Sequence, residues 1–493
     1  MSTLTETLVV FALVVPPLFL VYFFLYHSYT LTLIALAARQ VHRRVQGRFV
    51  DDLDPTEDGD LTQPLTLIQP TFNEEATIVE RVMSLIQCDY PAFEVVVVND
   101  GSVDGTLAEL KRTFRLRRVE LPYRPAIGTA RIRATYEANA PLPSRVLRMI
   151  VIDKENGGKA DALNAGVNAS MAPYFVALDA DSILDQRALK ELMRAVRKDP
   201  RAVAVTGQVA IANGCGVQDG PIVSVALPDR RLARFQMVEY LRSFTLARTG
   251  LDRLGAVLVQ SRIAAAFEKE TVIRAGGYLT PFVNHRIPGE YVGDRVGAGC
   301  ENMELIVRLH RFVLDKLHHR RVVFLPHPAA WTKVPETFSS LRKQRGRWYR
   351  GLRESLRYHR AMMWRPEYGR IGWFAMPAFW LFEYYGPLLE IAGYLCVLFL
   401  LLMEWTLDYP LIGEAYLWAF LLLALGYGML VNVLAVLLGA RRFRLGVADR
   451  LHGQLLPLKR RGEVLVLLAY AVLENLGYHQ LTLFWRLRGL AHG

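Results

Sequence analysis

Four long apolar runs decide most of what this chain can become. They cover roughly residues 7–37, 374–404, 412–440 and 463–486. Each is long enough for an α-helix to cross a hydrocarbon core, which takes about 20 residues. Between the first and second runs lies a long stretch of ordinary polarity, sufficient for a full α/β domain. With 52% hydrophobic residues and a mean hydropathy of +0.18, the chain is too apolar for one soluble domain and too polar for a bundle of membrane helices alone.

The flanks give an orientation. No basic region precedes the first run, and it is too long for a cleaved signal peptide. Arg39, Arg43, Arg44 and Arg48 follow it. By the positive-inside rule the N-terminus is expected outside and the next domain in the cytosol. The loop EWTLDYPLIGE has acids and no Lys or Arg, so it reads as outside; residues 441–461 are basic and read as inside. Four crossings would put RLRG, residues 486–489, outside against the rule. Either one run lies in the interface or the 374–404 run holds two elements. These flanks account for the net charge of +12 better than nucleic-acid binding, since no long basic tract occurs. Cys88, Cys215, Cys300 and Cys396 form no CxxC or Cys/His cluster, so neither zinc nor a disulfide framework is expected. Thiols facing the cytosol fit that usage. Glu383, Glu390, Glu474 and Asn475 fall inside apolar runs, as a polymer channel or as helix-to-helix hydrogen bonding. The chain ends about seven residues after the last run, so no C-terminal soluble regulatory domain is expected.

Residues 51–62 are an acidic, turn-rich linker. Residues 64–110 then read as strand, polar turn, amphipathic helix, strand and acidic turn, the start of a parallel α/β sheet. Asp100 closes the second strand, where such folds read a nucleoside, though a helix cap is the plainer role. Residues 111–148 are Arg-rich and give no clear pattern. RMIVID is a third strand, and two glycines then precede Lys159 at a helix start. A Lys there meets a phosphate at the positive helix end; the P-loop spacing is absent. The strand Phe175–Leu178 runs into Asp179-Ala180-Asp181. Paired carboxylates at the end of a buried strand hold a hard cation and a diphosphate well, while a turn or cap is the bland alternative. AVAVTGQVAI and RRVVFLP are further strands. Glu301 opens a helix, by capping if nothing else, and QRGRW, residues 344–348, lies on a basic amphipathic helix that also suits a membrane surface.

Taken in order, PTFNEE, VVNDGSVDGT, NGGKADALNAG, ALDADS and QRGRW make the stretch 64–352 resemble the family 2 glycosyltransferases. More narrowly it is similar to the membrane-embedded processive type: cellulose, hyaluronan, chitin-oligosaccharide and poly-N-acetylglucosamine synthases. The resemblance implies a GT-A-like, Rossmann-related α/β domain inserted between transmembrane helices. It implies an N-terminal helix and basic flank over 1–50, the cytosolic domain over 51–335, an interface helix region over 336–370 and membrane helices over 371–493. It also implies inverting transfer from a nucleotide-sugar, UDP-linked, to a growing glycan that is then translocated, at a bacterial inner membrane and with accessory export proteins possible. Thr71, Glu74, Asp100 and Lys159 would serve the nucleotide. Asp179 and Asp181 would serve the nucleotide and Mg2+ or Mn2+. Gln344, Arg347 and Trp348 would hold the diphosphate and the acceptor end.

One position departs from the family. The helix after the acceptor region there opens with two acids, the second being the catalytic base; here the pair is Glu301-Asn302. An amide is no proton acceptor at neutral pH. Three readings stay open: a base replaced to trap substrate, a natural pseudoenzyme, or Glu301 acting as base. Lys333 also stands where the resemblance leads one to expect an acid. The rivals to a polymer synthase are a lipid-linked or single-sugar transferase, against which QRGRW argues, and an inactive nucleotide-binding scaffold or receptor.

Overall fold

A computed structural model describes residues 3–51, 63–120, 125–179, 182–185, 187–217, 222–259, 265–280, 301–317, 319–407, 411, 413–448 and 461–491. The linker after residue 51, Cys300 and Asp181 lie outside these residues, as do the side chains of Asn302 and of the basic stretch from 441.

After α1 (Thr3–Asp51) the chain enters the sheet domain through β1 (Leu65–Thr71), α2 (Ile78–Ile86) and β2 (Phe93–Asp100). Every residue of β1 and β2 is buried, as expected for parallel strands covered on both faces. In α2 the apolar side chains of Ile78, Val82, Leu85 and Ile86 recur at helical spacing and are buried. Next come α3 (Thr106–Phe114), β3 (Arg117–Arg118), β4 (Ile132–Glu137), β5 (Val146–Lys154), α4 (Lys159–Ala169), β6 (Tyr174–Ala177), β7 (Ser182–Leu184), α5 (Ala188–Lys198) and β8 (Ala202–Ile211). A short ribbon follows, β9 (Gly216–Val217) and β10 (Ile222–Ser224). Then α6 (Arg231–Glu239) passes through a π-helical stretch, Tyr240–Ala247, into α7 (Arg248–Arg253). The domain is completed by β11 (Ala265–Glu268), α8 (Lys269–Arg274), α9 (Glu301–Lys316), β12 (Arg321–Thr332) and α10 (Phe338–Tyr358).

Among the described residues ten strands form one mixed sheet in the order β3-β4-β5-β2-β1-β6-β11-β8-β12-β7. The pairs β5-β2, β2-β1, β1-β6 and β8-β12 are parallel; β4 and β11 run against their neighbours. The strands expected from apolar runs are all present, with β12 longer than expected. Among its described residues the Arg-rich stretch holds the end of α3, the edge strand β3 and the adjoining strand β4. α4 packs tightly on β1: a Cβ on Gly166 would sit 2.3 Å from Ile68 Cγ2. That glycine lets the helix settle onto the sheet and brings its N-terminus to the strand ends. Truncating a core residue such as Leu192 of α5, fully buried, should cost about 2–5 kcal/mol.

The expected 374–404 run divides in two, a mostly π-helical stretch from Ile371 to Tyr384 and then α11 (Gly386–Leu407). α12 (Glu414–Leu421) leads through Leu422–Gly426 into α13 (Tyr427–Ala448). α14 (Arg461–Leu473) and α15 (His479–Ala491) are separated by a kink in which Gly477 adopts φ +128°, a conformation open to glycine. Among the described residues four helical stretches, Glu6–Arg39, Gly386–Leu407, Glu414–Ala440 and Gly462–Gly489, are long and apolar enough to cross a membrane. Their outward residues, among them Leu13, Leu18, Leu398, Leu402 and Leu422, are exposed, as are Trp405 and Trp418; an apolar surface of that size marks contact with lipid or another chain.

The α14–α15 pair stays against the sheet domain along its length. Tyr470 and Tyr478 pack on Phe235 of α6, Glu474 pairs with Arg242 at 3.0 Å, Trp485 meets Phe338 of α10, and Gly489 abuts Gly346 of α10. The polar groups in the apolar runs therefore have partners: Glu474 takes Arg242 and Asn432, Glu390 takes His479 at 2.7 Å, and Glu383 takes Arg486 at 2.9 Å.

Candidate active site

Three adjacent parallel strands, β2, β1 and β6, end together, and their carboxyl ends present Asp100, Thr71 and Asp179. Ligands of open α/β sheets sit outside this edge. Thr71 donates its hydroxyl to Glu74 at 2.8 Å, and Glu74 is paired with Arg81 at 2.5 Å. Asp100 is held firmly. It accepts from Lys154 Nζ at 2.6 Å, from Gly157 N–H at 3.0 Å and from Gly158 N–H at 2.8 Å. Lys154 is fully buried and also pairs with Asp161 at 2.5 Å. One buried cation thus ties the end of β2 to the turn that opens α4. Gly158 has φ +85° in that turn, where a side chain would be strained.

Lys159, the first residue of α4, reaches Asp179 and lies 3.7 Å from Glu301 at the start of α9. The expected nucleotide and metal residues are therefore gathered with Glu301, except Asp181, which lies outside the described residues. Asn302 falls in the first turn of α9 beside Glu301, its side chain likewise outside them. Deeper in α9, Glu304 pairs with Arg308 at 2.8 Å and His359 at 3.1 Å. Burial alone would raise the Glu304 carboxyl, but these two neighbours hold it below the usual carboxylate range. Arg308 also donates to the carbonyls of Ala275 and Gly277, both at 2.5 Å, fixing α9 to the glycine turn after α8.

Gln344, Arg347 and Trp348 lie on α10 at spacings of three and four, hence on one face, and all three line the same cavity as Thr71, Glu74, Asp100, Lys159 and Asp179. Gln344 Oε1 is buried with no hydrogen-bond partner. A buried unsatisfied oxygen is costly and is suited to a bound ligand. Arg345 makes two bonds to Glu239, at 2.5 and 2.6 Å, and its guanidinium lies 5.0 Å over the Trp348 ring. Burial would raise the Glu239 carboxyl; Arg345 holds it below the usual range. Trp348 is thus braced between Arg345 and Phe244, 5.9 Å away.

The cavity encloses ≈ 560 Å3 and does not stop at α10. It continues past Trp348 to Tyr26, Tyr29 and Thr30 of α1, to Phe379 and Glu383, and to Arg486 of α15. One space therefore joins the strand ends to the apolar helices. Sequence reading missed Arg242, Arg248, Lys154 and Glu239. Lys333 also lines the cavity. Among the described residues no three metal-ligating side chains gather.

Residues 66–142 match the family described as "Glycosyl transferase family 2", and residues 128–351 match "Glycosyltransferase like family 2". The poly-beta-1,6-N-acetyl-D-glucosamine synthase of Staphylococcus aureus is 26% identical over 298 residues, 60% of this chain and 56% of that one. The synthase of the same name from Staphylococcus epidermidis is 24% identical over 295 residues, 59% and 55% of the two chains. The match thus spans little more than half the length of these relatives. Among solved structures, the mannosyltransferase PcManGT from Pyrobaculum calidifontis, in complex with GDP-Man and Mn2+, aligns with TM-score 0.43 at 17% identity over 92% of this chain and 99% of that one. S. aureus TarS 1–349 in complex with UDP-GlcNAc aligns with TM-score 0.38 at 13% identity over 85% and 92%.

Proposed function

Through residues 66–351 the chain belongs to the family 2 glycosyltransferases, and from that premise we propose that it is a membrane polysaccharide synthase. It would transfer a sugar from a UDP-linked donor to a growing glycan and pass the product among its helices. The observation that carries this reading is the single cavity running from Thr71, Asp100, Lys159 and Asp179, past Gln344 and Trp348, to Tyr26, Tyr29 and Glu383. A transferase that releases a single-sugar product into water has no use for such an extension.

In this reading Thr71, Glu74, Asp100 and Lys159 hold the nucleotide, and Gln344, Arg347 and Trp348 hold the diphosphate and the acceptor. Transfer forms a bond from an acceptor hydroxyl oxygen to the anomeric carbon while the bond to the diphosphate breaks. The hydroxyl proton passes to a base. Trp348 offers an apolar ring face to a sugar, braced so that it cannot swing. The donor set suits Mg2+ or Mn2+, because Asp179 presents a carboxylate in the cavity and hard cations combine such oxygens with phosphate. Asp179 and Asp181 would hold the ion, which when bound stabilises charge on the leaving diphosphate.

We assign the sheet domain, 51–335, and the α10 region, 336–370, to the cytosolic side. α1, α11 and the α12–α13 helix would cross the membrane. The α14–α15 pair, with contacts to α6 and α10 at its two ends, would remain at the cytosolic interface. Three crossings place RLRG inside, in keeping with the positive-inside rule.

Asn302 favours a second reading, a protein that binds donor without turning it over. Both are tested by incorporation of labelled sugar into polymer from a panel of UDP-sugars, UDP-N-acetylglucosamine first, with Mg2+ or Mn2+. The chain is run beside Asn302→Asp. The synthase reading expects the Asp form to be faster by about 10²–10⁴-fold, the range for a positioned general base. Equal rates would mean Glu301 or another group is the base. No product from either would put the binding-only reading ahead.

A further inference from the structure

Arg248, the first residue of α7, lines the cavity and is only 6% exposed. Its Nη1 is buried with no hydrogen-bond partner. The other arginines of the cavity wall are engaged or exposed: Arg242 with Glu474, Arg345 with Glu239, Arg486 with Glu383, and Arg347 open to solvent. Among the described residues no carboxylate lies within ion-pair reach of Arg248. The side chain is nevertheless fixed in place. Its guanidinium lies 4.2 Å over the Phe244 ring, and Phe244 in turn stacks at 4.2 Å on Tyr240. Tyr240, Phe244 and Arg248 are four residues apart along the π-helical stretch, whose wide turns bring them into one column. π-Helical insertions recur at functional sites.

A buried guanidinium without a counter-ion is expensive to keep. Its planar fork matches a pair of anionic oxygens. We infer that Arg248 is an anion-binding residue of this cavity, held ready on the Phe244 ring to take paired anionic oxygens of a substrate. Two sources have that chemistry: the diphosphate of the donor, and an acidic substituent on the glycan beyond Trp348. Only the naming of these sources rests on the sugar-transfer reading. Burial pushes the guanidinium down to about 10, against the opposing pull of Tyr240 and Glu383, so it stays charged at neutral pH.

The test is calorimetric titration of the full chain in detergent with inorganic diphosphate, UDP, uridine and a glucuronate-containing disaccharide, for the chain as it stands, Arg248→Gln and Arg248→Lys. Arg248→Gln is expected to weaken the recognised anion by at least about tenfold, the scale of one charged hydrogen bond, and to leave uridine unchanged. Arg248→Lys, which keeps the charge and loses the fork, should lose less. A loss on diphosphate and UDP assigns the residue to the donor; a loss confined to the acidic disaccharide assigns it to the glycan. Diphosphate binding that depends on Arg248, with no binding of UDP, would sustain the inference and sink the nucleotide-sugar reading. Unchanged affinity for all three anions in Arg248→Gln overturns it. If that variant does not fold, Arg248→Lys decides alone: a threefold or greater loss supports the inference and no loss overturns it.

Discussion

Lys154 has no contact with solvent and two carboxylates within 2.6 Å. Replacing it with Met keeps the volume and removes the charge. Asp100 would retain the N–H groups of Gly157 and Gly158, and Asp161 the N–H of Ala130 at 3.0 Å. Neither would retain a counter-ion. Breaking a buried pair from one side costs about 3–5 kcal/mol. At roughly 2–4 °C per kcal/mol for a domain of this size, the melting temperature should fall by about 10 °C. UDP affinity should fall with it, because Asp100 loses its anchor. The sign of the pH dependence is fixed. An orphaned buried carboxyl has a folded pKa above its unfolded value, so its penalty is full at neutral pH and fades as acid protonates it. Lys154→Met should therefore recover part of its deficit between pH 7 and 5, and Lys154→Met/Asp161→Asn should recover it without acid. Thermal melts of the purified protein across that range, with UDP titration, are the assay. A melting point within 2 °C of the parent, flat with pH, would refute the reasoning.

Gly489→Ala should impair turnover far more than Gly346→Ala. A Cβ on Gly489 would come 2.6 Å from the Gly346 backbone, whereas one on Gly346 finds only ordinary contact at 3.5 Å; the overpacking costs about 1–3 kcal/mol, and polymer yield with melting temperature measures it. His310 donates to Val257 O at 2.8 Å, and burial pushes it down to about 4. The unfolded state therefore binds a proton first, and stability should fall as pH drops from 6.5 to 4, by up to ~3 kcal/mol from this residue. His310→Asn should flatten that slope in melts over the same range. Trp348→Leu should shorten the polymer while leaving UDP affinity within about twofold, since the ring is placed for sugar and not for nucleotide; gel filtration of labelled product reads it.

The strands that position the site were legible because they are buried on both faces. Such strands read as unbroken apolar runs ending in polar turns, and FEVVVVND and YFVALD leave little choice. β4 was not legible: IRATYE lies next to the two-residue edge strand β3, half-buried and mixed in polarity. β11 is four residues long and takes its place only through its two neighbours. The site divides the same way. Residues at strand ends were found because sheet geometry dictates where ligands lie. Lys154 read as the first residue of the turn after RMIVID, whereas it ends β5, and nothing local links it to Asp161. Arg248 and Glu239 depend on how a helix is rotated by its π-helical turns, which local spacing does not encode. Glu390 and Glu474 stood out as polar groups in apolar runs, but their partners His479 and Arg242 are far away in sequence.

The contact between Gly346 and Gly489 bears on how the protein is made. The helix carrying Gln344 and Trp348 leaves the ribosome long before the helix that seats it. Until α15 has been synthesised and has folded back, α10 has Glu239 and Phe244 to hold Arg345 and Trp348, but its Gly346 contact is still missing. In the proposed synthase, a nascent chain stalled between the two would carry every proposed donor residue and lack only this last support of the helix bearing Gln344 and Trp348. If the proposed synthase reading holds, its donor site would be complete early in synthesis, before the helices proposed to receive the product are in place.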